Sequence, residues 1–301
     1  NHRNRAVKAA IEIMDYIDEQ YQSEEFPDDY LLCLYIGVLD REKAELSYTS
    51  RGFQFPVYKI NNDKNIERVD TGGLPISTAI GKMEEASSEK TIKVEKNYTF
   101  LFSTDGLLEQ GNGKNTYYEN IENILEKYHY LPAPYLRDMI QKDFYEFTNN
   151  EPGDDDITYI VLEHQEEIKK WKLSKKDNDL KIIYDNLKDE IKQEKDLLYE
   201  KAYKDFNNII SDLFLNHGEK LLANKMKIKF LNNKSVLMLG LEVDSNNFSW
   251  DEILNNYTEI VLIKYMNIFN DGTVSFSEDK VYFSCNKDRN RIYLAVFKKN
   301  N

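Results

Sequence analysis

Two groups of carboxylates stand at the ends of short apolar runs, and both could take part in metal chemistry. Asp105 follows the aromatic-rich run 98–102 in a Ser-Thr-Asp-Gly turn. Further along, Asp154, Asp155 and Asp156 lead directly into a second apolar, β-branched run. Three adjacent like charges repel one another and resist burial, so they suit a bound cation. The same pattern is also typical of a solvated acidic turn beside a strand, and spacing alone leaves both interpretations open.

The elements that position these carboxylates are predicted to be buried strands. Aromatic and β-branched residues favour strands, and Gly, Ser and Asp at their ends favour turns. Alternating apolar and polar residues predict further strands before residue 100, and apolar residues at helical spacing predict helices. Strands are predicted at 44–49, 90–95, 98–102 and 157–162, and helices from the first few residues onward, at 117–128 and at 134–146.

The two acidic turns together resemble a known signature. Residues 102–109 read Phe-Ser-Thr-Asp-Gly-Leu-Leu-Glu, and residues 153–162 read Gly-Asp-Asp-Asp-Ile-Thr-Tyr-Ile-Val-Leu. The pair resembles that of the stage II sporulation protein E type of metal-dependent serine/threonine phosphatases, relatives of protein phosphatase 2C. Three more stretches resemble this family in its order: 26–40 (a strand ending in Gly-Val-Leu-Asp), 47–56 (a turn with Phe53 where the family usually has His) and 71–76.

The resemblance covers about residues 1–165 and implies an α+β fold. The expected architecture is a two-layer antiparallel β-sandwich flanked by helices. It implies that Asp105 and Asp155 are ligands of a site for Mn²⁺ or Mg²⁺, holding two ions when complete. Asp156 stands where the family has a neighbouring Asp or Asn. No catalytic residue beyond the metal site is expected, because the metals activate the attacking water.

The first residues depart from the family pattern. Residues 1–6 align with the family's Gly-His-Gly-x-x-Ala turn, but both glycines are replaced, and Asn and Arg bring bulk where Gly permits close approach. The family's upstream metal ligands would precede Asn1. Two functions therefore stay open. One is an active phosphatase acting on a small phosphoprotein of the anti-sigma-antagonist type in partner-switching signalling; the other is a degenerate phosphatase-fold interaction module.

Residues 166–204 form a segment rich in Lys, Glu, Asp and Asn. Within it, 165–174 could continue as an edge strand, and 177–192 has a short apolar stripe at helical spacing. A coiled-coil dimer linker is one interpretation, so a homodimer stays possible. The stripe is too short for sustained heptads, which favours a charged linker and helix that join two domains.

Residues 205–301 resemble, more faintly, the Bergerat-fold ATPases that include anti-sigma-factor kinases. Asp212 and Asn216 lie four apart on one helix, similar to the family's Glu-x-x-x-Asn, and Asp244 opens a segment similar to its adenine loop. No Gly-rich phosphate lid follows. A smaller α/β sandwich domain is therefore predicted. ATP binding is not expected; if a nucleotide were bound, these three residues would contact it.

Composition limits the remaining classes. The 301 residues include 53 Asp and Glu against 40 Lys and Arg, a net charge of −13, which argues against nucleic-acid and anionic-membrane partners. Cys33 and Cys285 are the two cysteines, and they are expected to be free thiols in a reducing compartment, rather than a disulfide. No run of membrane-span length and no secretory segment is present in the sequence, so a cytoplasmic location is expected.

Overall fold

The protein is described here from a computed structural model. It describes residues 2–23, 30–53, 55–61, 65–80, 89–96, 98–149, 151, 153, 155–164, 168–172, 177–223, 226–232, 236–243, 250, 260–262, 280–286 and 291–299. The chain divides into two compact units. The first comprises 1–129 and 146–164, and the second comprises 130–145 and 165–301. Segment 130–145 thus belongs to the second unit, although it lies within the range predicted for the first domain.

The first unit contains two antiparallel sheets and flanking helices. Its elements are α1 His2–Ser23, β1 Leu34–Asp40, β2 Glu45–Arg51, β3 Val57–Ile60, β4 Ile66–Val69, β5 Lys90–Lys93, β6 Thr99–Ser103, α2 Asp105–Leu108, α3 Tyr118–Tyr128 and β7 Tyr159–Glu163. One sheet has the strand order β1-β2-β5, and the other has the order β4-β3-β6-β7. All the pairings in both are antiparallel.

These two sheets share one apolar core, so they form a β-sandwich. Leu46, Tyr48 and Ile92 from one sheet pack with Val57 and Phe100 from the other. Because side chains alternate along a strand, each strand turns one set of residues into this layer and the other set away from it. The predicted α+β class and two-layer antiparallel sandwich are confirmed.

The second unit places helices against a larger sheet. Its elements are α4 Ala133–Phe147 (whose last residues belong to the first unit), β8 Ile168–Lys172, α5 Asp177–Gln193, a 3-10 helix Lys195–Leu197, α6 Glu200–Leu215, α7 Gly218–Ala223, β9 Met226–Asn232, β10 Val236–Val243, β11 Ile260–Leu262, β12 Val281–Asn286 and β13 Arg291–Phe297. The strand order is β11-β12-β13-β10-β9-β8. β11 and β12 are parallel, and the other pairings are antiparallel.

The core of the second unit lies between this sheet and the helices α5 and α6. Leu187 and Phe206 from the helices pack with Ile228, Leu239 and Leu294 from the strands, and all five are fully buried. The predicted α/β sandwich in the C-terminal part is therefore present. Of the described helices, none is both long and apolar enough to cross a membrane.

The helix α4 is tied to the same sheet through a buried tyrosine. The hydroxyl of Tyr135 lies 3.1 Å from the carbonyl oxygen of Tyr282 and 2.9 Å from that of Tyr293, and it donates its proton to them. Tyr135 is fully buried, and burial raises the pKa of its phenol. These bonds explain why most of α4 groups with the second unit, far along the chain from its sequence neighbours.

Candidate metal site

Thr104 joins two turns, the one that follows β6 and the one that precedes β7. Its backbone N–H donates to the carbonyl of Thr158 at 2.9 Å, and its hydroxyl accepts the N–H of Thr158 at 3.0 Å. The same hydroxyl lies 3.3 Å from the carbonyl of Asp156. These bonds extend the β6–β7 pairing, which ends with Ser103 opposite Tyr159. The two acidic turns are therefore held side by side.

Gly106 brings the two turns into backbone contact. A Cβ at this position would lie 2.5 Å from the carbonyl oxygen of Asp156 and 3.4 Å from the Cβ of Asp155. Such a distance to a backbone oxygen is impossible for a real side chain, so only glycine fits here. The structure thus places Asp105, which precedes Gly106, beside Asp155 and Asp156.

The carboxylates of Asp105 and Asp155 are each oriented by the next backbone N–H. Asp105 Oδ1 accepts from Gly106 N at 3.0 Å, and Asp155 Oδ1 accepts from Asp156 N at 2.7 Å. Both residues, and Asp156, are exposed. Carboxylate oxygens are the hard donors that Mg²⁺ and Mn²⁺ prefer.

A cavity of about 170 Å³ adjoins Asp105. Its lining consists of Cys33, Gly52, Phe53, Phe55, Ser103, Thr104 and Asp105. The ring of Phe53 packs against Tyr35 at 5.8 Å between centroids, and the ring of Phe55 packs against Tyr118 at 5.2 Å. Two aromatic side chains, each packed against a tyrosine ring, therefore form an apolar wall of the cavity that Asp105 also lines.

Cys33 belongs to this cavity, which the sequence did not indicate. It is a free cysteine, and its residue is exposed. Partial burial raises the pKa of its thiol, and the nearby negative charge of Asp105 raises it further. The thiol is therefore protonated at neutral pH. The signal available in the sequence was its position directly before the strand that ends in Gly-Val-Leu-Asp.

The wall of the cavity depends on a tight turn after β2. Gly52 has φ of 65°, and a Cβ there would lie 2.6 Å from Pro75, so this turn requires glycine. Thr71 supports the turn, since its hydroxyl lies 3.0 Å from the carbonyl of Phe53 and 2.9 Å from that of Phe55. Next to this turn, Nη2 of Arg51 lies 3.8 Å from Oδ2 of Asp18 in α1, and both side chains are 7% exposed.

The donor set available for a metal is small. Among the described residues, no group of three or more His, Cys, Asp and Glu side chains is placed to hold an ion. The three predicted ligands are neighbours, but they do not form a three-carboxylate cage. Mg²⁺ commonly retains several waters and binds through one or two protein carboxylates together with substrate phosphate. Asp105 and Asp155 fit that mode of binding.

The residues predicted for a nucleotide lie in the second unit. Asn216 Nδ2 donates to Asp212 Oδ1, and His217 Nε2 lies 3.8 Å from Asp212 Oδ2. The side chains of Asp212 and Asn216 therefore face each other at the C-terminal end of α6. Asp244 lies outside the described residues. A cavity of about 330 Å³ in this unit is lined by apolar and charged residues of α5, α6 and α7, and its lining includes neither Asp212 nor Asn216.

Comparison with known structures gives matches of low sequence identity. The RsbU and RsbW domains of Rv1364c from Mycobacterium tuberculosis match with 12% identity and a TM-score of 0.44, over 98% of this chain and 78% of that one. The SiaA-PP2C domain of Pseudomonas aeruginosa matches with 17% identity and a TM-score of 0.44, over 54% and 67%. The phosphatase domain of SpoIIE from Bacillus subtilis matches with 16% identity and a TM-score of 0.38, over 53% and 66%.

The family itself is identified from the sequence. No curated protein sequence matches the chain. The family model described as stage II sporulation protein E (SpoIIE) matches residues 5–165, more than half of the chain. That range contains both acidic turns, the cavity and the Gly106 contact. The chain belongs to the stage II sporulation protein E family.

Proposed function

We propose that the first unit is a metal-dependent serine/threonine phosphatase of the partner-switching type, which acts on a small phosphorylated regulatory protein. The observation that carries this proposal is the contact at Gly106, which sets Asp105 beside Asp155 next to a cavity. Two exposed carboxylates concentrate negative charge that a divalent cation would neutralise. A phosphoryl group would then complete the coordination of that cation.

The residues of this chain have distinct roles in the proposed reaction. Asp105 and Asp155 would hold Mn²⁺ or Mg²⁺, and a second ion if further ligands are supplied. The bound metal would activate a water and stabilise charge on the phosphoryl oxygens. Thr104 fixes the spacing of the two turns through its hydroxyl. Phe53 and Phe55 would contact the apolar part of a phosphorylated side chain, since they line the cavity beside Asp105.

A second function is supported by a specific observation. The described residues provide no three-ligand metal group, and the first turn lacks both family glycines. A weak site would leave a phosphatase fold that binds a phosphorylated partner without hydrolysing it. The two functions differ in one measurable property, because only the enzyme requires a metal for turnover.

The test is metal-dependent hydrolysis by the purified chain. p-Nitrophenyl phosphate and a phosphoserine peptide would be incubated with and without Mn²⁺, using wild type, Asp105→Asn and Asp155→Asn. Asp189→Asn, a change at an exposed residue of α5 in the second unit, gives the same charge difference. We expect turnover that needs Mn²⁺, falls at least about 100-fold in both site variants, and is unchanged in the control.

Calorimetric titration with Mn²⁺ separates the two functions. Binding that depends on Asp105 and Asp155 without turnover would favour the interaction module. Turnover that is unaffected by either substitution would refute the assignment of both ligands.

A further inference from the structure

The second sheet carries a cluster of cations on the face opposite α5 and α6. We call it the cationic face, and it consists of Lys170, Lys227, Lys229, Arg291 and the single carboxylate of Glu242. Strand alternation places them there, because Ile228 and Phe230, which flank Lys229, point into the core with the helices. A basic surface on a chain of net charge −13 is a departure from its average composition.

The strand register arranges these side chains in two adjacent rows. In one row, Lys170 of β8 lies opposite Lys229 of β9. In the next, Lys227 of β9 lies opposite Glu242 of β10, which in turn lies opposite Arg291 of β13. Directly opposed residues have Cβ atoms about 5 Å apart, and like charges in such pairs are destabilising. The pairing of Lys170 with Lys229 therefore has an electrostatic cost.

The one carboxylate does not neutralise the cluster. Glu242 Oε1 accepts from Lys227 at 2.8 Å, and its Oε2 accepts from Arg291. These bonds lower the pKa of Glu242 despite its partial burial, so it is ionised at neutral pH. Within the residues named here, four cations stand against one carboxylate.

Among the described residues, one amine of the cluster and one of the three nitrogens of Arg291 lack an acceptor; the other two nitrogens of Arg291 donate to Tyr293 and Glu242. Among the described residues, no hydrogen bond or ion pair is formed by the Lys229 amine, and Arg291 Nε is buried without an acceptor. Partial burial lowers the pKa of Lys229, and Arg291, Lys170 and Lys227 lower it further against the opposing effect of Glu242. An incoming carboxylate would supply an acceptor for the Lys229 amine.

The width of the cluster distinguishes between anions. Lys170 and Arg291 lie on strands separated by two others, so the cations span three interstrand spacings, about 14 Å. A lone oxyanion contacts only one or two such side chains. An extended peptide of about four residues, at about 3.3 Å per residue, covers the distance from β8 to β13.

We propose that the cationic face binds an acidic segment of a protein partner, whose carboxylates contact Lys170, Lys229 and Arg291. This binding function lies in the second unit and is separate from the phosphatase site. Nucleic acid is a poorer match, because the remaining surface of this acidic chain repels a long polyanion. A short acidic peptide meets only the local positive charge.

The test uses fluorescence anisotropy with a labelled decaglutamate peptide, titrated with the full chain at low ionic strength. The site variant is the double substitution Lys170→Gln with Lys229→Gln. The matched control is Lys181→Gln with Lys192→Gln, two exposed residues of α5. We expect the site variant to lose at least about 10-fold in affinity, the control to change less than about twofold, and salt to weaken binding.

Two further variants distinguish a loss of peptide binding from a loss of folding. Lys170 is exposed, so Lys170→Gln alone is expected to fold and to weaken binding in part. Lys229→Arg keeps the charge and is expected to bind as wild type does. The proposal is overturned if decaglutamate does not bind, if the site and control variants bind it equally, or if a ten-nucleotide oligothymidylate binds more tightly than the peptide.

Discussion

Substitution of Gly106 by alanine is expected to separate the two acidic turns. The added Cβ would lie 2.5 Å from the carbonyl oxygen of Asp156, whereas carbon and oxygen in ordinary contact are about 3.3 Å apart. The backbone must therefore move by roughly 0.8 Å, because the obstructing atom is not the end of a flexible side chain. Asp105 would move away from Asp155 by a similar distance.

Gly106→Ala is expected to lower both the stability and the activity of the protein. Overpacking of a tight contact destabilises a protein by about 1–3 kcal/mol, and a displacement of about 1 Å in a site lowers activity by about 100-fold. Thermal unfolding measures the first effect, and kcat/KM for Mn²⁺-dependent hydrolysis of p-nitrophenyl phosphate measures the second. Gly111→Ala is the control, since the nearest atom to its Cβ lies 3.7 Å away.

Retained activity in Gly106→Ala would contradict the role given to the backbone contact. If Gly106→Ala folds and retains kcat/KM within about twofold of wild type, the backbone contact does not set the geometry of the two carboxylates. If both glycine variants lose activity equally, the loss reflects a general effect on the turns. If no variant has activity, Mn²⁺ affinity by calorimetry applies the same comparison to the binding step.

Three further changes are expected to alter stability. Tyr135→Phe removes a buried hydroxyl that donates to strand carbonyls, and urea unfolding should show a loss of about 1 kcal/mol. Asp18→Asn removes the buried carboxylate beside an arginine, and we expect a loss of about 3 kcal/mol by the same measurement. Burial opposes ionisation of Glu194, but hydrogen bonds from Asn232 and Lys298 lower its pKa below 4.5. Its stabilising contribution is therefore present above pH 4.5 and is lost as the pH falls through the lowered value. Glu194→Gln should flatten the fall in the unfolding midpoint as the pH drops below 4.5; an unchanged slope would contradict this assignment.

The strands of the site could be predicted from local sequence because their patterns are local. Residues 98–102 and 157–162 are apolar runs bounded by turn residues, and they correspond to β6 and β7. The segment 165–174 contains β8, which lies at the edge of the second sheet as predicted.

The candidate site could be predicted in part. Turn composition pointed to Asp105 and to the run 154–156, and the resemblance to the phosphatase family singled out Asp105 and Asp155 as predicted ligands. The tertiary structure added Cys33 and the aromatic wall of the cavity, whose residues come from separate segments of the chain. It also showed that Asp156 does not complete a three-ligand group in the described residues. Such convergence depends on backbone direction, which spacing along the chain does not specify.

By itself, the sequence determined the α+β class, the elements of the sandwich and the family, because periodicity and short motifs are carried by neighbouring residues. Only the tertiary structure decided which residues meet across strands. Lys170, Lys229 and Arg291 are distant in sequence, and an alternating pattern tells which face a side chain occupies but not its partner. The strand register brings these residues together and creates a local positive charge, although the chain as a whole is acidic.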